Sequence, residues 1–301
     1  MAVFEGRVAC RFAQPLPADS RGTFDRKAVS GNVWVGRLGL ENSNSFANSG
    51  RFETSGGHKK DKGDRAVLLQ CQGNLDAIQE AGLKLQAPLD LKPSCFGENI
   101  FVESSSFRAE SICVGDEFQC WRQGQPQPLR FQVASPRCPC SKVDMRLGRT
   151  FSEQGVRFHC AQTGRAGCFL RVLEEGDLCD GDLLRLSKRP NPSWTVARVS
   201  GLLYGHDEAA KHYLQRSKLA VADFDTPTVR REEFMGTQEE LEELAALPEL
   251  ATFEWKEHLV RMLGRHIGRY RKRRMSVAPV AVLGLAVLLG LFALSRRKSK
   301  Q

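Results

Sequence analysis

Residues 129–142 read Leu-Arg-Phe-Gln-Val-Ala-Ser-Pro-Arg-Cys-Pro-Cys-Ser-Lys, and the rest of the chain is best interpreted outward from this stretch. Apolar side chains alternate with other residues over its first six positions, which predicts a β-strand. Pro136 and Pro139 then fix φ and remove two backbone donors, so the following segment is neither a helix nor a central strand. The sequence therefore predicts a strand that presents a rigid loop bearing two cysteines.

The second cysteine of this loop, Cys140, is the candidate reactive group. Arg137 and Lys142 lie three and two residues from it, and nearby cations favour thiolate over thiol. A thiolate in a rigid, cationic loop is suited to being a nucleophile, a redox thiol or a soft metal ligand. The two cations are also suited to holding an anionic ligand. Cys138 is interpreted as a small core residue, as free cysteines often are.

The composition of the 301-residue chain is that of a globular protein, with 41% hydrophobic and 26% charged residues. Its ten cysteines are scattered, without a CxxC pair or zinc-type spacing, and the N-terminus has no apolar signal core. We therefore expect reduced thiols facing the cytosol. Of the formal net charge of +9, residues 255–301 supply +11, from twelve Lys or Arg and one Glu, so the other 254 residues carry −2. The basicity belongs to the tail, and no nucleic-acid partner is expected.

Short alternating segments recur at intervals near a dozen residues, which predicts a mainly β barrel or sandwich. Strands are expected within 7–12, 32–36, 112–121, 129–134, 163–173, 181–186 and 194–199. From residue 209 the pattern becomes helical, with helices expected at 209–222, 238–247 and 253–270. Thr237 followed by Gln238-Glu239-Glu240 is a capping sequence for the second of these helices. The expected division is a barrel domain at 1–205 and a smaller helical segment at 206–270.

Residues 277–294 contain no charge over eighteen positions, the short end of what spans a bilayer. Basic residues precede this stretch at 269–274 and follow it at 296–300. A buried core helix is the alternative, but the basic flanks favour a single C-terminal transmembrane helix. We expect a tail-anchored protein whose main domain faces the cytosol, with the mitochondrial outer or peroxisomal membrane favoured over the secretory pathway. The cations before the span would also attract anionic headgroups.

Five motifs occur in the order that resembles MOSC domains, which are named for the C-terminal domain of molybdenum cofactor sulfurase. The motifs lie at 96–100, 114–116, 135–142, 163–167 and 171–176. Residues 63–67, Gly-Asp-Arg-Ala-Val, are similar to the His-Gly-Gly-Pro-Asp-Arg-Ala-Val motif of the bacterial YiiM type, which carries a helical "3-alpha" segment after its barrel. The resemblance covers roughly residues 4–265.

The resemblance implies a MOSC-type β-barrel that binds the molybdenum cofactor, a molybdopterin-based group. Cys140 stands at the position of the family's metal ligand or sulfur carrier, and is the expected catalytic residue and metal ligand. A soft thiolate suits molybdenum, and the cofactor's phosphate needs cations. The residues expected to bind the cofactor are Arg137, Lys142, Arg165, Asn99, Arg65 and Ser135.

Related enzymes, including the mitochondrial amidoxime-reducing component, reduce N-hydroxylated compounds. The resemblance therefore implies a reductase of N-hydroxylated or N-oxygenated small molecules that takes electrons from a separate reductase. One departure concerns Lys60-Asp61-Lys62-Gly63, which stands where the family has His-Gly-Gly-Pro, with His58 two residues off. Two alternatives stay open: a non-catalytic sulfur carrier or membrane-tethered cofactor-binding module, and a thiol-redox role for Cys138 and Cys140.

Overall fold

The structure is a computed structural model that describes residues 4–13, 26–41, 63–83, 91–122, 128–139, 143, 147, 155–205, 236–256, 259–260 and 263–264. Its strands are β1 (Glu5–Ala13), β2 (Lys27–Ala28), β3 (Val33–Gly36), β4 (Gly39–Leu40), β5 (Val67–Cys71), β6 (Ile100–Glu103), β7 (Glu117–Trp121), β8 (Leu129–Pro136), β9 (Cys168–Glu174), β10 (Gly176–Leu178) and β11 (Leu183–Lys188). Its α-helices are α1 (Gln72–Glu80), α2 (Val156–Thr163), α3 (Val196–Tyr204) and α4 (Gln238–Ala246). A 3₁₀ turn spans Gly63–Arg65, and a π-helical turn spans Thr252–Lys256.

Seven strands close into a barrel in the order β1-β11-β7-β8-β9-β5-β6, with β6 returning to β1. Neighbouring strands are antiparallel except β5 and β6, which run parallel with Leu69 opposite Ile100. Parallel neighbours require a crossover connection, and α1 lies within it. β2 extends the sheet beyond β1, and β10, β3 and β4 form a small second sheet. The prediction of a mainly β barrel is confirmed.

The barrel interior is filled by alternate residues of its strands. Leu129, Phe131 and Val133 of β8 and Leu170 and Val172 of β9 all belong to one buried apolar cluster. Successive side chains of a strand point to opposite faces, so the alternation predicted for β8 is the inside–outside pattern of the barrel wall.

A second apolar cluster joins the outside of the barrel to the C-terminal helical segment. Ala134 of β8 packs in this cluster with Trp194, Leu203 of α3, Leu244 of α4 and Trp255. The carbonyl of Ala134 also accepts a hydrogen bond from the Ala251 N–H at 2.8 Å. The helical segment is therefore docked onto the end of β8 that leads into the cysteine loop.

The capping sequence predicted before α4 is confirmed. The Thr237 hydroxyl accepts from the Glu240 N–H at 3.2 Å, and the Glu240 carboxylate accepts from the Thr237 N–H at 2.9 Å. This reciprocal pair satisfies two donors that the first turn of a helix leaves unpaired. The helix predicted at 238–247 is present as α4.

The strand predicted at 194–199 is wrong, because this stretch begins α3. Thr195 is the N-cap, and its hydroxyl accepts from the Arg198 N–H at 3.0 Å. Val196, Val199 and Leu203 are buried on one side of the helix. Their spacing of three and four residues is helical, so the apparent alternation of Val-Ala-Arg-Val belongs to a helical stripe.

Several expected elements lie outside the described residues: the helix at 209–222, the transmembrane segment at 277–294 and most of the helix at 253–270. Within the described part of the chain, no helix has the length and apolar character needed to cross a bilayer. Trp255 and Leu259, which lie within the helix predicted at 253–270, are buried.

Candidate functional site

The cysteine loop begins where β8 ends and is fixed there by the turn before β9. The Arg137 N–H donates to the carbonyl of Gly167 at 2.9 Å. Gly167 has a φ of +94°, and a Cβ at this position would collide with the carbonyl of Leu69 on β5. Only glycine combines this backbone conformation with so close an approach, which explains the glycine in this motif.

The described loop is held at its other end by α2. Arg157 is 1% exposed, and its Nε donates to the carbonyl of Pro139 at 3.1 Å. Cys138 is partly buried and packs against the second apolar cluster. Cys140 and Lys142 lie outside the described residues. The structure therefore fixes the loop up to the residue that is bonded to Cys140.

A buried group of charges lies beside Arg137. The Arg137 Nη1 donates to the carbonyl of Phe96. Two residues further on, the fully buried Glu98 carboxylate accepts from the N–H of Ser94 and, at 3.2 Å, from the N–H of Phe96. Arg26 joins them from the segment that leads into β2, since its charge acts on both groups. We call these three side chains the Arg26–Glu98–Arg137 cluster.

The charges of the Arg26–Glu98–Arg137 cluster influence one another. The pKa of Arg26 is lowered to about 10, chiefly by burial and next by the charge of Arg137, while Glu98 opposes the shift. Burial raises the pKa of Glu98, and its backbone N–H donors and the two arginines oppose that rise. The cluster contains two guanidinium groups and one carboxylate, so when fully ionised it carries a formal charge of +1. A desolvated site with an excess cation is suited to an anionic ligand.

The buried polar atoms without a hydrogen-bond partner include Ser135 Oγ and Arg26 Nη1. Ser135 is 1% exposed and lies two residues before Arg137 on β8. Leaving a buried polar group unpaired costs about 1–3 kcal/mol. Such groups are rare in folded proteins and call for an explanation, of which a bound ligand is one. The residues present therefore fit an anionic cofactor at the end of β8.

Arg65 approaches the same end of β8 from the turn before β5. Its guanidinium carbon lies 5.6 Å from the centre of the Phe169 ring. Phe169 is the cross-strand neighbour of Ser135. The preceding Asp64 accepts from the Arg171 guanidinium at 2.8 Å, which holds this turn against β9. The structure thus brings Arg65 and Ser135 to one face of the barrel wall.

The predicted binding residue Asn99 makes contacts with backbone groups. Its Oδ1 accepts from the Leu68 N–H at 3.0 Å, and its Nδ2 donates to the Phe12 carbonyl at 3.4 Å. Asn99 therefore links the ends of β1 and β5. The turn at Gly97, with a φ of +70°, places it there. A contact between Asn99 and a cofactor stays a prediction.

The predicted binding residue Arg165 contacts a different group of residues. Its Nη2 and Nε donate to the Glu110 carboxylate at 2.8 and 3.1 Å. Its Nη1 donates to the carbonyl of Ala77 at 3.2 Å and lies 3.2 Å from His159 Nε2. Arg165 is thus engaged by α1, α2 and the segment between β6 and β7, and its role toward a cofactor stays a prediction.

Sequence reasoning missed Arg26, Glu98 and Arg157. Glu98 lies inside the family motif at 96–100, Phe-Gly-Glu-Asn-Ile, and this motif was the one available signal. Arg26 and Arg157 lie in stretches without a recognisable motif. Their roles depend on contacts between distant parts of the chain, which a single sequence does not display.

The described cysteines are suited to packing. Burial is the largest cause of the raised thiol pKa at Cys10, Cys71, Cys113, Cys120 and Cys168. The pKa rises to about 12 at Cys71 and about 11 at Cys113. A raised pKa disfavours the reactive thiolate. Over the described ranges, no group of three or more His, Cys, Asp or Glu side chains could hold a metal ion.

Comparison with known proteins identifies the family. Residues 31–185 match the family model of the MOSC domain, and the matched region contains both the cysteine loop and Glu98. The chain belongs to the MOSC domain family. This domain is associated with binding or sulfuration of the molybdenum cofactor. The predicted family is confirmed.

Two curated relatives match parts of the chain. A protein named "Reductase" from Gibberella moniliformis is 29% identical over 128 residues, which are 42% of this chain and 21% of that protein. The uncharacterized protein YflK of Bacillus subtilis is 32% identical over 117 residues, which are 39% of this chain and 47% of that protein. The matched regions thus span about a fifth and about half of these relatives.

Solved structures of YiiM share the architecture. YiiM from Geobacillus stearothermophilus aligns with a TM-score of 0.55 at 18% identity, covering 86% of this chain and 99% of that one. YiiM from Escherichia coli aligns with a TM-score of 0.55 at 17% identity, covering 86% and 94%. At these identities the likeness concerns the fold, and the predicted YiiM-like architecture is confirmed.

Proposed function

We propose that this MOSC protein binds the molybdenum cofactor at the end of β8, with Cys140 as the metal ligand. The observation that carries the proposal is the Arg26–Glu98–Arg137 cluster, in which Glu98 and Arg137 are buried and Arg137 stands three residues before Cys140. A guanidinium suits a phosphate, and a thiolate suits a soft metal. The unpaired Ser135 hydroxyl supplies a further polar contact.

We propose further that the protein reduces N-hydroxylated or N-oxygenated small molecules. The bound cofactor would supply the two-electron step, in which two electrons and two protons convert an N–OH group into N–H and water. The electrons come from a separate reductase. This chain's own residues hold the cofactor and fix the loop, Arg137 through Phe96 and Arg157 through Pro139. The family and the relative named "Reductase" support this assignment.

A second candidate function is a non-catalytic sulfur carrier or membrane-tethered cofactor-binding module. In the carrier, Cys140 would hold a persulfide in place of a metal. The observation in its favour is the run Lys60-Asp61-Lys62-Gly63, which replaces the His-Gly-Gly-Pro of YiiM-type proteins before Asp64-Arg65. A changed sequence directly before Asp64-Arg65 is consistent with binding that is retained without the same reaction.

The deciding experiment uses the full chain, produced in a host that makes the cofactor. Molybdenum is measured by elemental analysis and pterin by oxidation to its fluorescent product, in the wild type, Cys140→Ala and the matched control Cys138→Ala. We expect near-stoichiometric molybdenum in the wild type and Cys138→Ala, and its loss in Cys140→Ala. Equal molybdenum in all three proteins would overturn the ligand assignment.

The same preparations separate the reaction from the alternative. The wild type is assayed for reduction of an N-hydroxylated amidine, with a chemically reduced dye as electron donor. Turnover that disappears in Cys140→Ala supports the reductase. A wild type without molybdenum but with a persulfide on Cys140, detected by mass spectrometry, would favour the sulfur carrier.

We also propose that residues 277–294 anchor the protein in the mitochondrial outer or peroxisomal membrane, with the main domain in the cytosol. Support comes from the uncharged stretch and its basic flanks.

An arginine at the centre of a spanning helix costs about 2.5–3.5 kcal/mol of insertion free energy. Leu285→Arg should therefore move the protein into the alkaline-carbonate supernatant, while Ser295→Arg should leave it in the membrane pellet. Membrane retention of Leu285→Arg would contradict the anchor.

A further inference from the structure

We propose that Arg26 is a cofactor-binding residue whose guanidinium, together with that of Arg137, binds the phosphate of the cofactor. This inference rests on the proposed function and assigns the anion site within it. Arg26 lies outside every motif that the sequence shares with the family. Its position, its unpaired Nη1 and its charge each support the assignment.

The position of Arg26 follows from strand pairing. Ala28 of β2 is the cross-strand neighbour of Phe12 on β1. The Phe12 N–H donates to the carbonyl of Asn99 at 2.8 Å, and Asn99 directly follows Glu98. The segment that carries Arg26 therefore runs beside the buried Glu98. From the other side, Arg137 contacts the carbonyl of Phe96, two residues before Glu98.

Arg11 is a buried arginine whose guanidinium is fully paired, and it offers a comparison with Arg26. Arg11 is 1% exposed, and its Nε pairs with the Asp180 carboxylate at 2.8 Å. Its Nη1 donates to the carbonyl of Leu178 at 2.9 Å and to that of Gly31, and its Nη2 donates to the carbonyl of Val29 at 2.8 Å. Each nitrogen of Arg11 has a partner.

Arg26 contrasts with Arg11, because its Nη1 is buried without an acceptor. The side chain as a whole is only partly buried, so the residue lies at the edge of the interior. A buried charged donor without an acceptor is a costly arrangement for a structural residue. An anion at this position would supply the missing acceptor.

The charge of the site also matches a phosphate. Even at its lowered pKa of about 10, Arg26 is a cation at neutral pH. Glu98 sets one negative charge against two guanidinium groups, so the three side chains together carry a formal charge of +1. Ser94, whose N–H binds the Glu98 carboxylate, has a φ of +75°, the one non-glycine residue with a positive φ in the described part of the chain. Backbone strain of this kind persists only where the surrounding structure enforces it, often at a ligand site.

The experiment compares Arg26→Gln, Arg26→Lys and the control Lys27→Gln in the full chain, loaded in a cofactor-producing host. Lys27 is the adjacent cation and is exposed. Pterin retained per protein is followed during dialysis. Loss of one charge-assisted hydrogen bond should speed release of the pterin about tenfold or more in Arg26→Gln. Arg26→Lys, which keeps the charge, should show a smaller increase, and Lys27→Gln should match the wild type.

The outcomes distinguish this inference from the proposed function. If the wild type retains pterin and Arg26→Gln retains it equally, Arg26 is not a binding residue and the proposed function stands. If the wild type itself contains no pterin, the proposed function fails and the inference fails with it. Urea unfolding of the cofactor-free proteins checks folding, and Arg26→Lys decides the question should Arg26→Gln prove unfolded.

Discussion

Arg157 of α2 donates from Nε to the carbonyl oxygen of Pro139 at 3.1 Å, across eighteen residues of sequence. Pro139 is bonded to Cys140, so a buried helical arginine holds the residue directly before the proposed metal ligand. At the other end of the same loop, Arg137 is held by Gly167. The short loop is thus fixed at two points, as a pre-organised ligand requires.

The first prediction concerns this arginine. Arg157→Met keeps much of the side-chain volume but removes the donor to Pro139, so the free energy of unfolding should fall by about 1–3 kcal/mol. Molybdenum content should fall as well, because the loop loses a fixed point.

The control is Arg185→Met, which breaks the exposed pair with Glu5 at 2.7 Å and should lower the free energy of unfolding by less than about 1 kcal/mol. Urea unfolding and elemental analysis provide the measurements. Equal behaviour of the two variants would refute a special role for Arg157.

The second prediction separates structure from binding at Asn99. Both ends of its side chain are occupied by backbone groups, those of Leu68 and Phe12. Asn99→Ala should therefore lower the free energy of unfolding by about 1–3 kcal/mol, and pterin per folded protein should also fall if Asn99 binds the cofactor as predicted. Urea unfolding and pterin fluorescence test this. Unchanged stability with lost pterin would instead establish Asn99 as a cofactor-binding residue.

The third prediction concerns pH and His159 on α2. Burial lowers the pKa of His159, and the adjacent charge of Arg165 lowers it further. In the unfolded chain a histidine titrates near about 6.5, so below that pH the unfolded state binds more protons than the folded state. Stability should therefore fall as the pH drops below about 6.5. Urea unfolding between about pH 7.5 and 5 should show a flatter profile for His159→Gln. Identical profiles would contradict the assignment.

Features predictable from the sequence were those encoded within a few residues. β8 alternates, Pro136 and Pro139 stiffen the following loop, and Thr237 with Glu240 forms a capping box. The prediction of a strand at 194–199 was wrong because Val-Ala-Arg-Val, taken alone, fits both the two-residue period of a strand and the 3.6-residue period of a helix. Apolar residues of the next turn continue the buried stripe of α3, and they distinguish the helix from a strand.

The charge cluster could not be predicted in the same way. Arg26 and Arg137 are separated by 111 residues, and their segments come near each other only because the barrel closes and β2 pairs with β1. The family motifs pointed to Arg137 and to the segment that contains Glu98. Arg26 became recognisable through its Nη1, which is buried without a partner.

The last prediction uses the unpaired hydroxyl of Ser135. Because its Oγ is buried without a partner, Ser135→Ala should leave the unfolding free energy of the cofactor-free protein unchanged or slightly higher. Release of pterin from the loaded protein should become several-fold faster, since about 0.5–1.5 kcal/mol of hydrogen bonding is lost. Thr195→Ala is the control, because its hydroxyl caps α3; it should cost about 1 kcal/mol of stability and leave pterin release unchanged. The opposite pattern, with Ser135→Ala destabilising the cofactor-free protein and releasing pterin normally, would make Ser135 a structural residue and remove it from the site.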